Sequence, residues 1–265
     1  MPPVALQDKV IVIVGGTTGL GLSAATACAA AGARLVVVGR DADNVAAAGE
    51  TLGPAGRAIA ADATDPATAP RAIDVALDQF GAFHALYHVA GGSGRRRGDG
   101  PLHEISDDGW DFTLQLNLTS LFYSNRAAAK QFLKQGGGGA VLNMGSVLGF
   151  SPSPRFFATH AYAATKAAIV GLTRSSAAYY APHDIRFNVI APALVETPMA
   201  RRAAGDEAIL SFIATKQPLA GGRIGAPADL DAAVVYLLSD GARFVTGQVL
   251  AIDGGWSVSE GQYGA

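Results

Sequence analysis

Cysteine is nearly absent from this sequence. Cys28 is the only one among 265 residues, so no internal disulfide can form and a thiolate metal cluster is not favoured. A lone thiol is typical of a small buried residue in a reducing compartment, and we expect a cytoplasmic protein. The histidines show no metal-ligand spacing, so we predict no metal site. Those considered are His88, His103, His160 and His183.

Long apolar runs are absent too. The run 10–14 stops at glycines after the length of one strand, whereas a membrane-spanning helix needs about 20 apolar residues. Nothing near the start combines a basic stretch, an apolar stretch and a small-residue cleavage site, as a secretory signal does. We therefore expect no membrane partner.

The chain has no excess of either charge. It carries 20 basic and 22 acidic residues, a formal net charge of −2. Binding to a phosphate backbone depends on clustered basic residues, so we expect no nucleic-acid partner.

Apolar residues and glycine are plentiful. Hydrophobic residues make up 49% of the chain, and this content excludes a disordered chain. A chain of this length lies near the upper limit for one core, and no linker or repeat divides it. We therefore predict a single domain over residues 1–265.

Short β-branched runs alternate with longer alanine-rich stretches. This alternation predicts βαβ units and hence a doubly wound α/β fold around a seven-stranded parallel sheet. The predicted strands are 10–14, 34–38, 57–61, 85–89, 140–144, 186–190 and 248–252. The predicted helices are about 19–31, 42–52, 66–80, 107–135, 160–181 and 227–239.

A glycine-rich loop follows the first strand. The sequence there is Gly15-Gly16-Thr17-Thr18-Gly19-Leu20-Gly21, and a predicted helix begins within it. Glycines let the backbone approach a pyrophosphate, and a helix N-terminus offers it free N–H groups. The alternative is a loop that serves packing alone; its place after a first strand favours nucleotide binding.

A tyrosine and a lysine are spaced one helical turn apart in Tyr162-Ala163-Ala164-Thr165-Lys166. Residues four apart share a helix face, so phenol and ammonium are expected to project into one cleft. A neighbouring cation is expected to lower the pKa of a phenol and let it exchange protons near neutrality.

Two further residues give this pair a context. Ser146 follows the fifth predicted strand, where parallel sheets bind ligands. Asn117 lies in the middle of a predicted helix. Asparagine is a poor helix former, so its presence there needs a reason.

Together these motifs resemble those of the short-chain dehydrogenase/reductase family, over about residues 10–255. The family's marks here are Gly-x-x-x-Gly-x-Gly and Tyr-x-x-x-Lys. The resemblance implies a Rossmann-like single domain that joins dinucleotide binding with catalysis. It also implies a catalytic tetrad of Asn117, Ser146, Tyr162 and Lys166.

The resemblance further implies a set of cofactor contacts. Asp62 resembles the family's adenine-contacting aspartate, and Ala90-Gly91 match the end of its Asn-Asn-Ala-Gly motif. The segment after Pro192 resembles the part of the family's fold that holds the nicotinamide carboxamide. The implied contacts are Gly15, Thr17, Thr18, Gly19, Leu20, Gly21, Arg40, Asp62, Ala63, Ala90, Gly91, Tyr162, Lys166, Pro192, Val195 and Thr197.

The chain departs from the family's pattern at a few positions. Val14 replaces a threonine, His88-Val89 replace two asparagines, and Ala193 replaces a glycine. The interval between Ser146 and Tyr162 is longer than usual, with 151–157 as the additional segment. No departure removes a chemical group of the tetrad, although the bonds that brace the strands are altered.

The end of the second strand favours NADP(H), with NAD(H) as the alternative. Gly39 stands where NAD-preferring relatives carry aspartate and is expected to leave space, while Arg40 can pair with a 2′-phosphate. Two residues argue the other way. Asp41 can neutralise Arg40, and Thr18 stands where many NADP-preferring relatives carry a second basic residue.

The motifs indicate an NAD(P)-dependent oxidoreductase that interconverts a secondary alcohol and a ketone, with a small-molecule substrate that the sequence does not identify. The alternative is a catalytically idle nucleotide-binding regulator on the same fold. A binding module has no need for both Tyr162 and Lys166, which favours the enzyme.

Alanines in the helices 107–135 and 160–181 predict close packing across a two-fold axis and hence a homotetramer; packing within one subunit is the alternative. Two other features keep two interpretations each. Arg95-Arg96-Arg97 either binds an anionic substrate or is solvated. Phe156, Phe157 and Phe212 either line a pocket or fill the core.

Overall fold

The computed structural model describes residues 5–261. Its strands are β1 Val10–Val14, β2 Arg34–Gly39, β3 Gly56–Ala60, β4 Ala85–His88, β5 Gly139–Met144, β6 Ile185–Pro192 and β7 Val249–Ile252. Its helices are α1 Gly19–Ala30, α2 Ala42–Leu52, α3 Thr68–Phe80, α4 Asp107–Leu114, α5 Ser120–Gln135, α6 His160–Tyr180, α7 Arg201–Ala204, α8 Glu207–Lys216 and α9 Asp231–Leu238.

The described strands form one parallel sheet in the order β3-β2-β1-β4-β5-β6-β7. The predicted doubly wound seven-stranded fold is confirmed. After β1 the chain moves to one side through β2 and β3, then returns to add β4 on the other side of β1. Ligands bind at the carboxyl ends of the strands where the winding reverses, here between β1 and β4.

The sheet is buried on both faces. Successive side chains of a strand point to opposite faces, and β1 divides accordingly. Ile11 and Ile13 pack in the core cluster that contains residues of α1 and α9, whereas Val10, Val12 and Val14 pack with residues of α3 and α5. This two-sided burial explains why β1 is a continuous apolar run.

The helices of the structure differ from the predicted ones in three respects. The helix predicted at 107–135 is interrupted by a π turn at Gln115–Thr119, so it is two helices, α4 and α5. The helix predicted at 227–239 begins with a 3-10 turn at Pro227–Leu230. The helices α7 and α8 were not predicted.

A local signal for α8 exists in the sequence. The carboxyl group of Asp206 accepts hydrogen bonds from the amides of Ala208 and Ile209, which caps the helix. Ile209, Phe212 and Ile213 then follow at helical spacing and are buried. No helix within residues 5–261 is long and apolar enough to cross a membrane.

Candidate active site

Tyr162 and Lys166 lie on α6, and Lys166 contacts the carboxyl end of β5. Lys166 is only 3% exposed, and its Nζ donates a hydrogen bond of 2.8 Å to the carbonyl oxygen of Met144. That nitrogen lies 5.5 Å from the centre of the Tyr162 ring. The expected shared cleft is therefore present, with ammonium and phenol ring side by side.

Burial dominates the acid–base properties of this pair. It lowers the pKa of Lys166 to about 7. It raises the pKa of Tyr162 to about 12, against the opposing effect of a hydrogen bond with Ser146. The expected lowering of the phenol pKa by the lysine is not found: burial is the larger effect, and the hydrogen bond of the Lys166 ammonium goes to the carbonyl oxygen of Met144.

The π turn explains the asparagine in the middle of the predicted helix. Asn117 is buried, and its Nδ2 donates to the carbonyl oxygens of Thr113 and Gly92, both at 2.9 Å. Its Oδ1 accepts the amide of Gly92 at 3.0 Å. A single π turn inside a helix is frequent at functional sites, and here it aims Asn117 at the loop that follows β4.

Ser146 completes the group. It follows β5, is 8% exposed, and its Oγ accepts a 3.2 Å hydrogen bond from the amide of Leu148. A Cβ placed on Gly91 would lie 2.7 Å from Oδ1 of Asn117 and 3.7 Å from Nζ of Lys166. The structure therefore brings Asn117, Ser146, Tyr162 and Lys166 together beside the loop after β4.

The glycine loop lies at the neighbouring strand end and is compact. Gly15 has a φ of +89°, and a Cβ there would lie 2.5 Å from the amide nitrogen of Ala90. A Cβ on Gly21 would lie 1.9 Å from the carbonyl oxygen of Gly15. Thr18, at the N-cap of α1, makes no side-chain capping bond. The loop thus presents an uncapped helix N-terminus and a backbone with no side chains at its glycines, and this arrangement fits the close approach of a dinucleotide pyrophosphate.

The segment after Pro192 faces this loop. A Cβ on Gly19 would lie 3.5 Å from Thr197 and 3.6 Å from Pro198. Val195 is held by a bridge to Gly225. The two segments therefore border one slot beside Ala90 and Gly91. Two expected contact residues are used for packing: Leu20 packs against the core cluster beside α1, and Ala63 is buried in the cluster on the opposite face.

The end of β2 differs from the expectation in one respect. The space beside Gly39 is filled, because a Cβ there would lie 2.1 Å from Oγ1 of Thr17. Arg40 is exposed and lies near Asp62. Burial alone would raise the pKa of Asp62, but hydrogen bonds from Thr64 and the charge of Arg40 bring it below its ordinary value. Asp41 uses its carboxyl group to cap α2, accepting the amide of Asn44 at 2.9 Å.

The altered strand-bracing positions keep their connections by other means. The backbone oxygen of Val14 accepts the amides of Val89 and Ala90 at 2.8 and 2.9 Å. His88 is fully buried and contacts the hydroxyls of Ser124 and Ser120 on α5 at 2.9 and 3.3 Å. Burial, followed by the charge of Lys166, lowers the pKa of His88 to about 3, so the ring braces β4 as a neutral group.

The three consecutive arginines lie on the surface. Arg95, Arg96 and Arg97 form an exposed 3-10 turn in which the Arg97 guanidinium lies 5.2 Å from the centre of the Phe112 ring.

The additional segment 151–157 packs through its aromatic rings. Phe156 lies 5.2 Å from Phe212, and Phe157 lies 5.8 Å from Trp256, measured between ring centres. These rings belong to a small core cluster that also contains Val147, the residue after Ser146. Among residues 5–261, no three His, Cys, Asp or Glu side chains are grouped as metal ligands would be.

Sequence comparison adds independent evidence. The family model described as "Enoyl-(Acyl carrier protein) reductase" matches residues 14–257. The chain is 34% identical to 2-dehydro-3-deoxy-D-gluconate 5-dehydrogenase of Escherichia coli, over 95% of this chain and 96% of that one. It is 36% identical to 3-alpha-(or 20-beta)-hydroxysteroid dehydrogenase of Mycobacterium tuberculosis, over 94% and 90% of the two chains.

Solved structures agree. A short-chain type dehydrogenase/reductase from Mycobacterium ulcerans superposes with a TM-score of 0.88 at 31% identity, covering 97% of this chain and 92% of that one. The 3-ketoacyl-(acyl-carrier-protein) reductase from Brucella melitensis, solved with NADH, superposes with a TM-score of 0.84 at 28% identity, covering 96% and 100%.

Proposed function

The chain belongs to the short-chain dehydrogenase/reductase family, and from this premise we propose how its own residues carry out the reaction. It is an oxidoreductase that uses a nicotinamide cofactor to interconvert alcohols and ketones. The proposed catalytic residues are Asn117, Ser146, Tyr162 and Lys166.

The cofactor supplies the hydride chemistry when bound, and the four side chains handle the proton and the geometry. Tyr162 gives its phenolic proton to the carbonyl oxygen in reduction and takes it back in oxidation. Ser146, whose side chain acts against the rise in the pKa of that phenol, positions the carbonyl oxygen. Lys166 and Asn117 border the same position at Gly91 and serve to hold the ribose and to pass protons onward.

The observation that carries this proposal is the grouping of the four side chains: Asn117 and Lys166 meet at Gly91, Lys166 lies beside the Tyr162 ring, and Ser146 acts on the Tyr162 phenol. The experiment is a screen of ketones with reduced cofactor and of secondary alcohols with oxidised cofactor. The change in nicotinamide absorbance measures turnover. We expect turnover of at least one secondary alcohol–ketone pair. Cofactor binding without turnover across the whole panel would contradict the proposal and favour an idle nucleotide-binding protein.

The proposed cofactor is NADP(H). Arg40 is exposed at the end of β2 near Asp62, and the carboxyl group of Asp41 is engaged as a helix cap. We propose that the Arg40 guanidinium pairs with a 2′-phosphate there. The side chain of Thr17 fills the position that the Cβ of an aspartate at residue 39 would need. Both features disfavour the NAD(H) arrangement, in which a carboxylate accepts from the ribose hydroxyls.

The proposed assembly is a homotetramer. Several large apolar side chains on α5 and α6 face outward, which supports burial against another subunit. They are Phe122, Leu133 and Tyr179. Sedimentation at micromolar concentration is expected to give a tetramer, and a monomer would contradict this. We also propose a single domain over residues 1–265, of which 1–4 and 262–265 lie outside the described residues, and a cytoplasmic location, which cell fractionation tests.

A further inference from the structure

Residues 91–100, here called the strap, form hydrogen bonds with two elements that carry proposed catalytic side chains, the π turn with Asn117 and the helix α6 with Tyr162. The strap leaves the end of β4, passes Asn117, and reaches the N-terminus of α6 just before Tyr162. It is rich in glycine and contains one buried acidic residue, Asp99, which is 3% exposed.

The strap is fixed to Asn117 at its first end. Gly92 both donates its amide to Asn117 Oδ1 and accepts from Asn117 Nδ2. Gly94 packs so closely against Thr113 that a Cβ there would lie 1.8 Å from its Oγ1. The carbonyl oxygen of Gly94 accepts the amide of Asp99 at 3.1 Å, which closes the strap into a compact loop.

At its second end the strap caps α6. The first N–H groups of a helix have no partner within the helix, and Thr159 at the N-cap makes no side-chain capping bond. Asp99 supplies the missing acceptors: Oδ1 accepts the amide of Ala161 and Oδ2 that of Tyr162, both at 3.0 Å. The carbonyl oxygen of Gly100 accepts the amide of His160 at 3.1 Å.

We propose that Asp99 is a positioning residue for the proton-transfer step. Its carboxyl group holds the backbone amide of Tyr162, and the other end of the strap is bonded to Asn117, so the strap fixes the position of Tyr162 relative to Asn117. This proposal rests on the function proposed above. A buried carboxyl group that accepts two backbone N–H groups at a helix N-terminus is favoured electrostatically as well as by hydrogen bonding. The phenol must meet Ser146, which lies on a different element, so a small shift of the first turn of α6 separates them.

Asp99→Asn and Asp99→Ala test the proposal. Asparagine keeps the shape and one acceptor oxygen, whereas alanine removes both. Misplacement by about 1 Å costs up to about a hundredfold in rate. We therefore expect kcat to fall by about tenfold to a hundredfold in Asp99→Ala and by less in Asp99→Asn. The dissociation constant for NADPH, followed by its fluorescence, is expected to stay unchanged.

Asp253→Asn is the matched control. Asp253 likewise accepts one backbone amide on each carboxyl oxygen, from Gly255 and Ser257 at 2.9 Å, but it lies in the turn after β7. We expect this variant to lower Tm without changing kcat. Hydrogen exchange of the amides of residues 160–162 is measured in parallel, and should accelerate only in the Asp99 variants.

Accelerated exchange with an unchanged kcat would overturn the proposal, since Asp99 would then stabilise the helix alone. An equal loss of kcat in Asp253→Asn would overturn it too. The wild-type enzyme is assayed first. Failure of the proposed function therefore appears as no turnover in any variant, and failure of the Asp99 role as normal turnover in Asp99→Ala.

Discussion

Replacing Arg40 with glutamine tests the proposed cofactor preference. Arg40 is exposed at the end of β2, near Asp62, and the adjacent carboxyl group of Asp41 is already bonded to the amide of Asn44. Glutamine keeps a polar, shorter side chain but removes the charge and the paired donors that suit a phosphate.

The size of the effect follows from the exposure of the site. A hydrogen bond to a charged group contributes about 1.5–3 kcal/mol. Solvent screens charges on exposed side chains, so the lower end applies here. About 1.4 kcal/mol corresponds to a factor of ten. We expect kcat/KM for NADPH to fall about tenfold and kcat/KM for NADH to stay within about twofold.

The assay measures both cofactors on Arg40→Gln and on Arg34→Gln. Arg34 lies at the opposite end of β2, is also exposed, and its guanidinium donates to the carbonyl oxygen of Pro54 at 3.4 Å. Its substitution should leave both constants unchanged. Equal losses with NADPH and NADH, or a wild-type preference for NADH that persists without Arg40, would refute the reasoning.

Three further predictions concern the proton donor and the glycine loop. Burial raises the pKa of Tyr162 to about 12, so the ionised phenol is scarce at neutral pH. Alcohol oxidation, which needs it, should therefore accelerate with pH while ketone reduction does not. Gly21→Ala places a Cβ 1.9 Å from a backbone oxygen and should abolish NADPH binding in a fluorescence titration, whereas Gly171→Ala, in open space on α6, should stabilise by about 1 kcal/mol in thermal unfolding. Gly39→Asp should lower Tm, and adding Thr17→Gly should recover it.

The sheet was predictable because its information is local. The strands β1 and β2 contain short apolar runs that end at a glycine, and the run Val10–Val14 is buried without exception. The side chains Tyr162 and Lys166 were predictable for a similar reason, since a spacing of four places them on one helix face wherever the helix lies.

Other features depend on partners distant in sequence. Asn117 signalled only that the helix around it is unusual, and the π turn follows from its bonds to Gly92, which is 25 residues away. Asp99 caps a helix more than 60 residues later and carries no local mark of that role. The space predicted beside Gly39 is filled by Thr17, because the glycine loop turns back over β2.

The central claim is that Tyr162 transfers the proton, and the Tyr162→Phe variant tests it most directly. Phenylalanine keeps the ring beside Lys166 but removes the hydroxyl proposed to carry the proton. Turnover and NADPH binding are measured on the same preparation, with an alcohol–ketone pair that the wild-type enzyme accepts. We predict that turnover is lost while the dissociation constant for NADPH stays unchanged; a variant that keeps a near wild-type rate would contradict the account.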